Sequence, residues 1–327
     1  MVRIALLLTL LAAPRVQTRL VTDEADAVLA ILAKRAAHQA IADADWNRVF
    51  TSEGYVRLQK REHSMKRPFE NDAFKTFVMS DELLAKREAL AKAVDDWRNA
   101  DLTAAANRAL AYLPANATIH AKVYPVIKPA TNSFVFEVDT DPAIFKYVDD
   151  EPRAAFEQTM SHELHHVGYG TACPPKGVEL GDMRWLGAFG EGFATLAAAG
   201  GPQNNPMKNA DRPGLQETWR SEMAKYDENF HAVESFFLDV SSGKLKGDAT
   251  NTRAFEFFGL LGPWYTVGYK MAVTIEQAFG RDAVINAFCD QRTLMSTYNR
   301  AVDNLGAKLP KWDPRLTTTP SSETTEH

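Results

Sequence analysis

The spacing of apolar residues changes character once along this chain, and that change limits the folds open to it. From Asp23 to about Tyr112 apolar residues recur three and four apart (Val28, Ile31, Leu32; Leu84, Leu90, Val94, Trp97), as in amphipathic helices. Asp23-Glu24 and Ser80-Asp81-Glu82 read as helix starts. Leu113-Pro-Ala-Asn-Ala117 interrupts the pattern. Beyond it the chain turns short, β-branched and aromatic: Ile119 to Ile127 and Ser133 to Val138 read as strands, parted by a Lys-Pro-Ala-Thr-Asn turn, with Pro125 marking an edge or a bulge. Asp150-Glu151-Pro152 opens a helix that runs to about Val167 and is stopped by Gly168 and Gly170. A second helix, from about Asp182 to Ala199, is closed by Gly200-Gly201. After a linker from Pro202 to Gly214 the chain is helical again over about Leu215–Val240, Arg253–Leu261, Pro263–Phe279 and Arg281–Leu305. The expectation is a mainly α fold with a small β-sheet (α+β), the sheet lying just before a central helix pair. Its parts are a leader (1–20), an N-terminal helical region (21–117), the sheet with the helix pair (118–201), a C-terminal helical lobe (202–310) and a tail (311–327).

Composition excludes some functions. With 327 residues of which 45% are hydrophobic, the chain can bury a large core and is not disordered throughout. A net charge of -5 without a basic stripe argues against nucleic acid as a partner. Met1 to Ala13, MVRIALLLTLLAA, has the basic start and apolar run of a secretory signal and is too short to span a bilayer. No second such run occurs downstream, so the expectation is a secreted or periplasmic protein with no membrane span once the signal is removed. Two cysteines make neither a disulfide scaffold nor a Cys-rich zinc module; in an oxidising compartment Cys173 and Cys289 either pair or stay as separate buried thiols. Lys311 to His327, rich in Thr, Ser, Pro and Glu, reads as a loose tail.

The chemistry lies in the first helix of the central pair. Ser161 to Gly170 is SHELHHVGYG, and His162-Glu163-Leu164-His165-His166 matches H-E-x-x-H. On a helix His162 and His166 stand one turn apart, so both imidazoles can bind one metal ion, and Glu163 can reach a water on it without being a ligand. A zinc hydrolase needs a third protein ligand and an open fourth position. The continuation H-E-x-x-H-x-x-G-x-x-H/D fails, because Tyr169 and Ala172 hold the Gly and ligand positions. A Glu from the second helix fits: Glu191, 25 residues beyond His166, sits in Gly190-Glu191-Gly192, whose glycines allow close helix packing. His165 flanks the motif as a packed or supporting residue.

His162-Glu163-x-x-His166 followed by Gly-Glu191-Gly-x-Ala resembles the gluzincin class of zinc metallopeptidases and, within it, uncharacterised bacterial families of zinc-dependent peptidases. The match is clear over about Ser133 to Gly200 and looser in the C-terminal lobe. The resemblance implies a zincin-like two-lobed architecture and one Zn2+ per chain held by His162, His166 and Glu191, with Glu163 as general base. It also implies a sheet edge strand that pairs with an extended peptide, and a Tyr or His from the C-terminal lobe that stabilises the transition state. Tyr265 is the first candidate for that last role, with Tyr269 and His231 behind it. Thr195 departs from the class, standing where many members carry an Asp that supports a ligand His.

The reaction expected is hydrolysis of a peptide or protein substrate by metal-activated water. Two alternatives use the same residues. Glu163-x-x-His166 and Glu228-x-x-His231 are both E-x-x-H, the pair of motifs that builds a carboxylate-bridged di-iron site in a helix bundle. Alternatively, a zincin-like fold without catalytic activity would bind and not cleave.

Overall fold

The computed structural model describes residues 14–130, 132–137, 140–173, 181–210 and 214–317. Its strands are β1 (Val16–Leu20), β2 (Ile119–Val126), β3 (Phe134–Phe136) and β4 (Ala143–Tyr147), joined in one sheet of order β1-β2-β4-β3. β1 runs parallel to β2 from the pair Val16/Ile119 to Leu20/Val123, and β2 runs parallel to β4 from Lys122/Ala143 to Val126/Tyr147. β3 lies antiparallel to β4 at the sheet margin, Phe134 opposite Phe145. Pro125 sits on an inner strand but meets the edge rule locally. Val123 accepts from Val21 on the β1 side while Val126 accepts from Val148 on the β4 side, so Pro125 turns its missing N–H toward the side where β1 has already ended.

The helices are numbered in chain order. α1 (Asp23–Ala36), α2 (Asp43–Phe50), α3 (Glu53–Ser64), α4 (Asn71–Val78), α5 (Asp81–Ala85), α6 (Arg87–Trp97) and α7 (Leu102–Leu110) fill the span between β1 and β2. α8 (Arg153–Ala172) comes after the sheet, and a 3-10 helix, Gly181–Phe189, leads into α9 (Gly190–Ala199). α10 (Leu215–Ala224), α11 (Tyr226–Ser241), α12 (Gly247–Glu256), α13 (Pro263–Phe279), α14 (Arg281–Cys289), α15 (Leu294–Leu305) and α16 (Pro314–Thr317) complete the described chain. The fold is α+β with helix dominant, as expected. Among the described residues no helix is long and apolar enough to cross a membrane.

Two hydrophobic cores meet at α8. Its Phe156, Met160, Leu164 and Val167, spaced at helical period, are buried in the core that α1, α6, α7 and one face of the sheet build; Trp97 stacks on Phe156 at 4.5 Å. α9 faces the other way, placing Phe193, Leu196 and Ala197 in the core of the C-terminal helices with Phe230, Phe237, Trp264 and Tyr298.

Five expectations need correction. Residues 16–20, assigned to the leader, form β1 and pair with β2; residues 1–13 lie outside those described. The tail does not begin at Lys311: Trp312 is 1% exposed and its ring lies 4.1 Å from that of Phe230, an aromatic anchor that overrides the polar sequence around it. Residues 318–327 lie outside those described. β4 was not expected, and the span Leu215–Val240 divides into α10 and α11. Finally, α8 does not stop at Gly168 but continues to Ala172. A Cβ on Gly168 would stand 2.4 Å from Leu113 Cδ1 and 3.0 Å from Ile119 Cγ1, so this glycine serves close packing rather than termination.

Candidate metal centre

α8 fixes the site because its apolar face is pinned in the N-terminal core, which leaves His162 and His166 on the flank that meets α9. His162 Nε2 lies 3.0 Å from Glu191 Oε2 and 3.2 Å from His166 Nε2, and His166 Nε2 lies 3.6 Å from the same carboxylate oxygen. Among the described residues these three form the one group of His, Cys, Asp or Glu arranged to hold a metal ion. A tetrahedral zinc with bonds of about 2.0–2.1 Å sets its donors about 3.3 Å apart, which the observed separations bracket. Two imidazole nitrogens and one carboxylate oxygen, converging in a partly buried position, form a donor set suited to that ion.

Electrostatics agree. Burial works against ionisation of Glu191, yet the facing His166 and His162 hold its carboxyl well below the usual range, so it stays anionic. Burial would lower His166, but the Glu191 carboxylate outweighs it and raises the group. Glu163 is buried beside the triad without joining it; desolvation, with Glu191 adding to it, raises its pKa against the pull of His162, His166 and Lys146. A carboxyl shifted up in this way is a stronger base, once ionised, than an ordinary exposed carboxylate.

α13 supplies the fourth side of the site. Gly192 is where α9 and α13 touch: a Cβ there would lie 2.0 Å from the Tyr269 nitrogen and 2.3 Å from the Gly268 carbonyl carbon. The glycines around Glu191 therefore bring α9 onto α13, and Gly190 onto Phe288, rather than onto α8 as expected from sequence. This contact sets Tyr265 beside the triad, its ring stacked 6.2 Å from that of His162. Burial, reinforced by Glu191 and Glu163, raises the Tyr265 phenol far above its ordinary value, so it remains a proton donor. Tyr269 does not face the site; it packs edge-on against Trp219 at 5.2 Å within the C-terminal core.

The remaining sequence candidates fall outside. His231 is exposed on α11 and pairs with Glu234 at 3.2 Å, and Glu228 is exposed as well, so the second E-x-x-H does not face the first and the di-iron arrangement is not formed. His165 is 1% exposed, sits against Phe288 and is held neutral, its pKa pushed down to about 3 by burial and then by its two neighbouring histidines. Thr195 donates to the Glu191 carbonyl at 2.8 Å, within its own helix, and so does not replace the supporting Asp.

Sequence reasoning missed Lys146 and Glu151. Lys146 is fully buried on β4, contacts Asp149 and Glu151 at 3.1 Å each, and lies over the rings of Tyr147 and Trp97. Its charge bears on Glu163, lowering that group's pKa. Nothing in Ala143-Ile-Phe-Lys-Tyr147 distinguishes this lysine from a solvated one.

A helix-borne histidine pair and a carboxylate from the next helix, with a buried acid beside them, form a group that could hold a metal ion. The chain matches, over residues 23–307, the model of the family described as "Putative zinc dependent peptidase (DUF5700)", and it belongs to that family. No curated protein and no solved structure matches it.

Proposed function

We propose that this protein is a zinc-dependent peptidase of gluzincin type, holding one zinc ion through His162, His166 and Glu191 and using Glu163 as its base. The observation that carries the reading is the convergence of the three donor atoms at 3.0, 3.2 and 3.6 Å with a fourth, non-ligating carboxyl buried beside them. A zinc ion held by these three residues would supply Lewis acidity, making water a better nucleophile near neutral pH and a carbonyl more electrophilic.

The chain's own residues do the rest. Glu163 accepts a proton from the attacking water and returns it to the leaving amine as the peptide C–N bond breaks. Tyr265 donates its phenolic hydrogen to the carbonyl oxygen as negative charge builds on it. β3, at the sheet margin and packed against α8, offers backbone groups to an extended peptide. Substrate would lie between the N-terminal part and the C-terminal helical lobe, the two-lobed arrangement of zincins. Export fits the apolar start of the chain and the Cys173–Cys289 disulfide, a bond that persists in oxidising compartments.

The test compares wild type with Glu163→Gln, both carrying a full equivalent of zinc, on a proteome-derived peptide library. Cleavage by wild type and a loss of about 10²–10⁴-fold in the variant support the reading. Equal cleavage by both removes Glu163 from the mechanism, and zinc without turnover in wild type turns the protein into a binding module.

A further inference from the structure

Beside the triad, on the N-terminal side of His162, opens a pocket of about 140 Å³ that the proposed chemistry does not use. Ala155, Thr159 and His162, successive positions on one face of α8, line one wall; Ala198, Met207, Leu261 and Tyr265 line others, and His162 belongs to both the pocket and the triad. From Ala155 to His162 the helix rises about 10 Å, the reach of one long side chain. A void of similar size, about 150 Å³, holds benzene when its walls are apolar.

Apart from the Thr159 hydroxyl and the Asn209 side-chain oxygen, the polar groups of Gln158, Asn209, Glu151 and Thr195 on the walls have partners within the protein. Asn209 Nδ2 donates to Gln158 Oε1 at 2.8 Å, and Gln158 Nε2 donates to the Pro206 carbonyl, so these two amides brace the linker onto α8. Glu151 faces the buried ammonium of Lys146 at 3.1 Å, which offsets its charge. Thr195, also on the wall, is bonded to its own helix. Left for a ligand to meet, among the described residues, is chiefly methyl, methylene and thioether surface.

Resting on the peptidase reading, we propose that this pocket seats one apolar substrate side chain of the size of Leu, Met or Phe next to the scissile bond, with Ala155 and Ala198 setting its depth. A larger residue at either position would occupy the space the substrate needs, whereas a substrate with a small side chain would leave it unfilled. Hydrophobic pockets discriminate by about 10–200-fold for each methylene gained or lost.

The experiment measures binding rather than turnover. Three succinyl hydroxamates, identical but for an isobutyl, a methyl or a 4-aminobutyl substituent, are titrated calorimetrically into the zinc-loaded full-length protein, into Ala155→Phe and into Ala198→Leu. The expected result is isobutyl tighter than methyl by at least about 10-fold, 4-aminobutyl weaker than isobutyl, and an isobutyl advantage cut by about 10-fold or more in whichever variants retain zinc. Equal affinity for isobutyl and methyl would overturn the proposal, as would a preference for 4-aminobutyl, which would make Glu151 the determinant. An isobutyl preference unchanged in a zinc-loaded variant would place the side chain elsewhere. Failure of the two readings is separable: a protein with the isobutyl preference and no peptide turnover keeps the pocket and loses the peptidase. One that cleaves peptides without the preference does the reverse.

Discussion

Glu191 Oε2 lies 3.0 Å from His162 Nε2 although 29 residues separate them in sequence, and this contact joins α8 to α9 at the candidate metal centre. An anionic ligand buried against two imidazoles should bind zinc far better than the imidazoles alone. Glu191→Ala is therefore expected to lose stoichiometric zinc. In wild type, zinc at 100 times its dissociation constant should add about 2.7 kcal/mol of stability. Thermal denaturation with and without zinc checks this: a melting temperature that rises with zinc in wild type and not in the variant is the expected outcome, and an equal rise in both would remove Glu191 from the ligand set.

Tyr265 is expected to act late, on the developing oxyanion. Tyr265→Phe should keep its zinc and lower kcat by about 10²–10³-fold, as loss of one oxyanion donor does. Because burial holds the phenol protonated, wild-type activity should show no alkaline fall near the ordinary tyrosine range from this group. Steady-state kinetics on a cleaved peptide, with metal content measured alongside, checks both statements; an unchanged kcat would assign Tyr265 to packing only.

Glu24, far from the metal centre in sequence, gives the fold a pH dependence of its own. It is fully buried on α1; its Oε2 accepts from the Ile127 nitrogen at 2.9 Å, and its Oε1 has no hydrogen-bond partner among the described residues. Burial, opposed by the Ile127 bond and aided by Asp23 and Asp26, pushes its pKa up to about 8 from 4.5. The folded state therefore holds this proton more tightly than the unfolded chain. Its contribution to stability is fully present below about pH 4.5, declines as pH rises, and is gone above about pH 8, a change on the order of a few kcal/mol. Urea unfolding from pH 5 to 9 should show wild type losing stability across the window and Glu24→Gln losing much less; parallel curves would contradict this.

The bond between Cys173 and Cys289 ties the end of α8 to the end of α14, whose Phe288 covers Phe193 and Tyr169 at 4.4 Å. It closes a loop spanning 116 residues, so its loss enlarges the unfolded ensemble and is expected to cost about 2–5 kcal/mol. Denaturant midpoints for wild type with and without reductant, and for the Cys173→Ala/Cys289→Ala pair, check this. A midpoint unmoved by reductant and by the substitutions would show that packing alone holds α14 in place.

How much of the fold and site is legible in the sequence depends on how far each signal reaches along the chain. The spacing of His162 and His166 is local, set by one helical turn, and can be read directly. Glu191 can be placed on a second helix, but that Gly192 meets α13 at Gly268 and Gly190 meets Phe288 depends on tertiary contacts that no local pattern encodes. β1 is hidden because an apolar start followed by Val16-Gln-Thr-Arg-Leu20 reads as the end of a leader; pairing with Ile119–Val123, about a hundred residues on, makes it a strand. β4 is hidden by Lys146, whose charge suggests solvent until Asp149, Glu151 and two aromatic rings are found around it. Gly168 reads as a helix stop because its packing partners, Leu113 and Ile119, lie some fifty residues away.

The most direct test of the central claim is anomalous scattering at the zinc absorption edge from crystals of the protein purified with zinc. The account predicts one peak per chain, within about 2.0–2.2 Å of His162 Nε2, His166 Nε2 and a Glu191 carboxylate oxygen, with Glu163 outside bonding distance. A peak elsewhere, two metal positions bridged by Glu163 or Glu191, or no peak in protein carrying a full equivalent of zinc would contradict it.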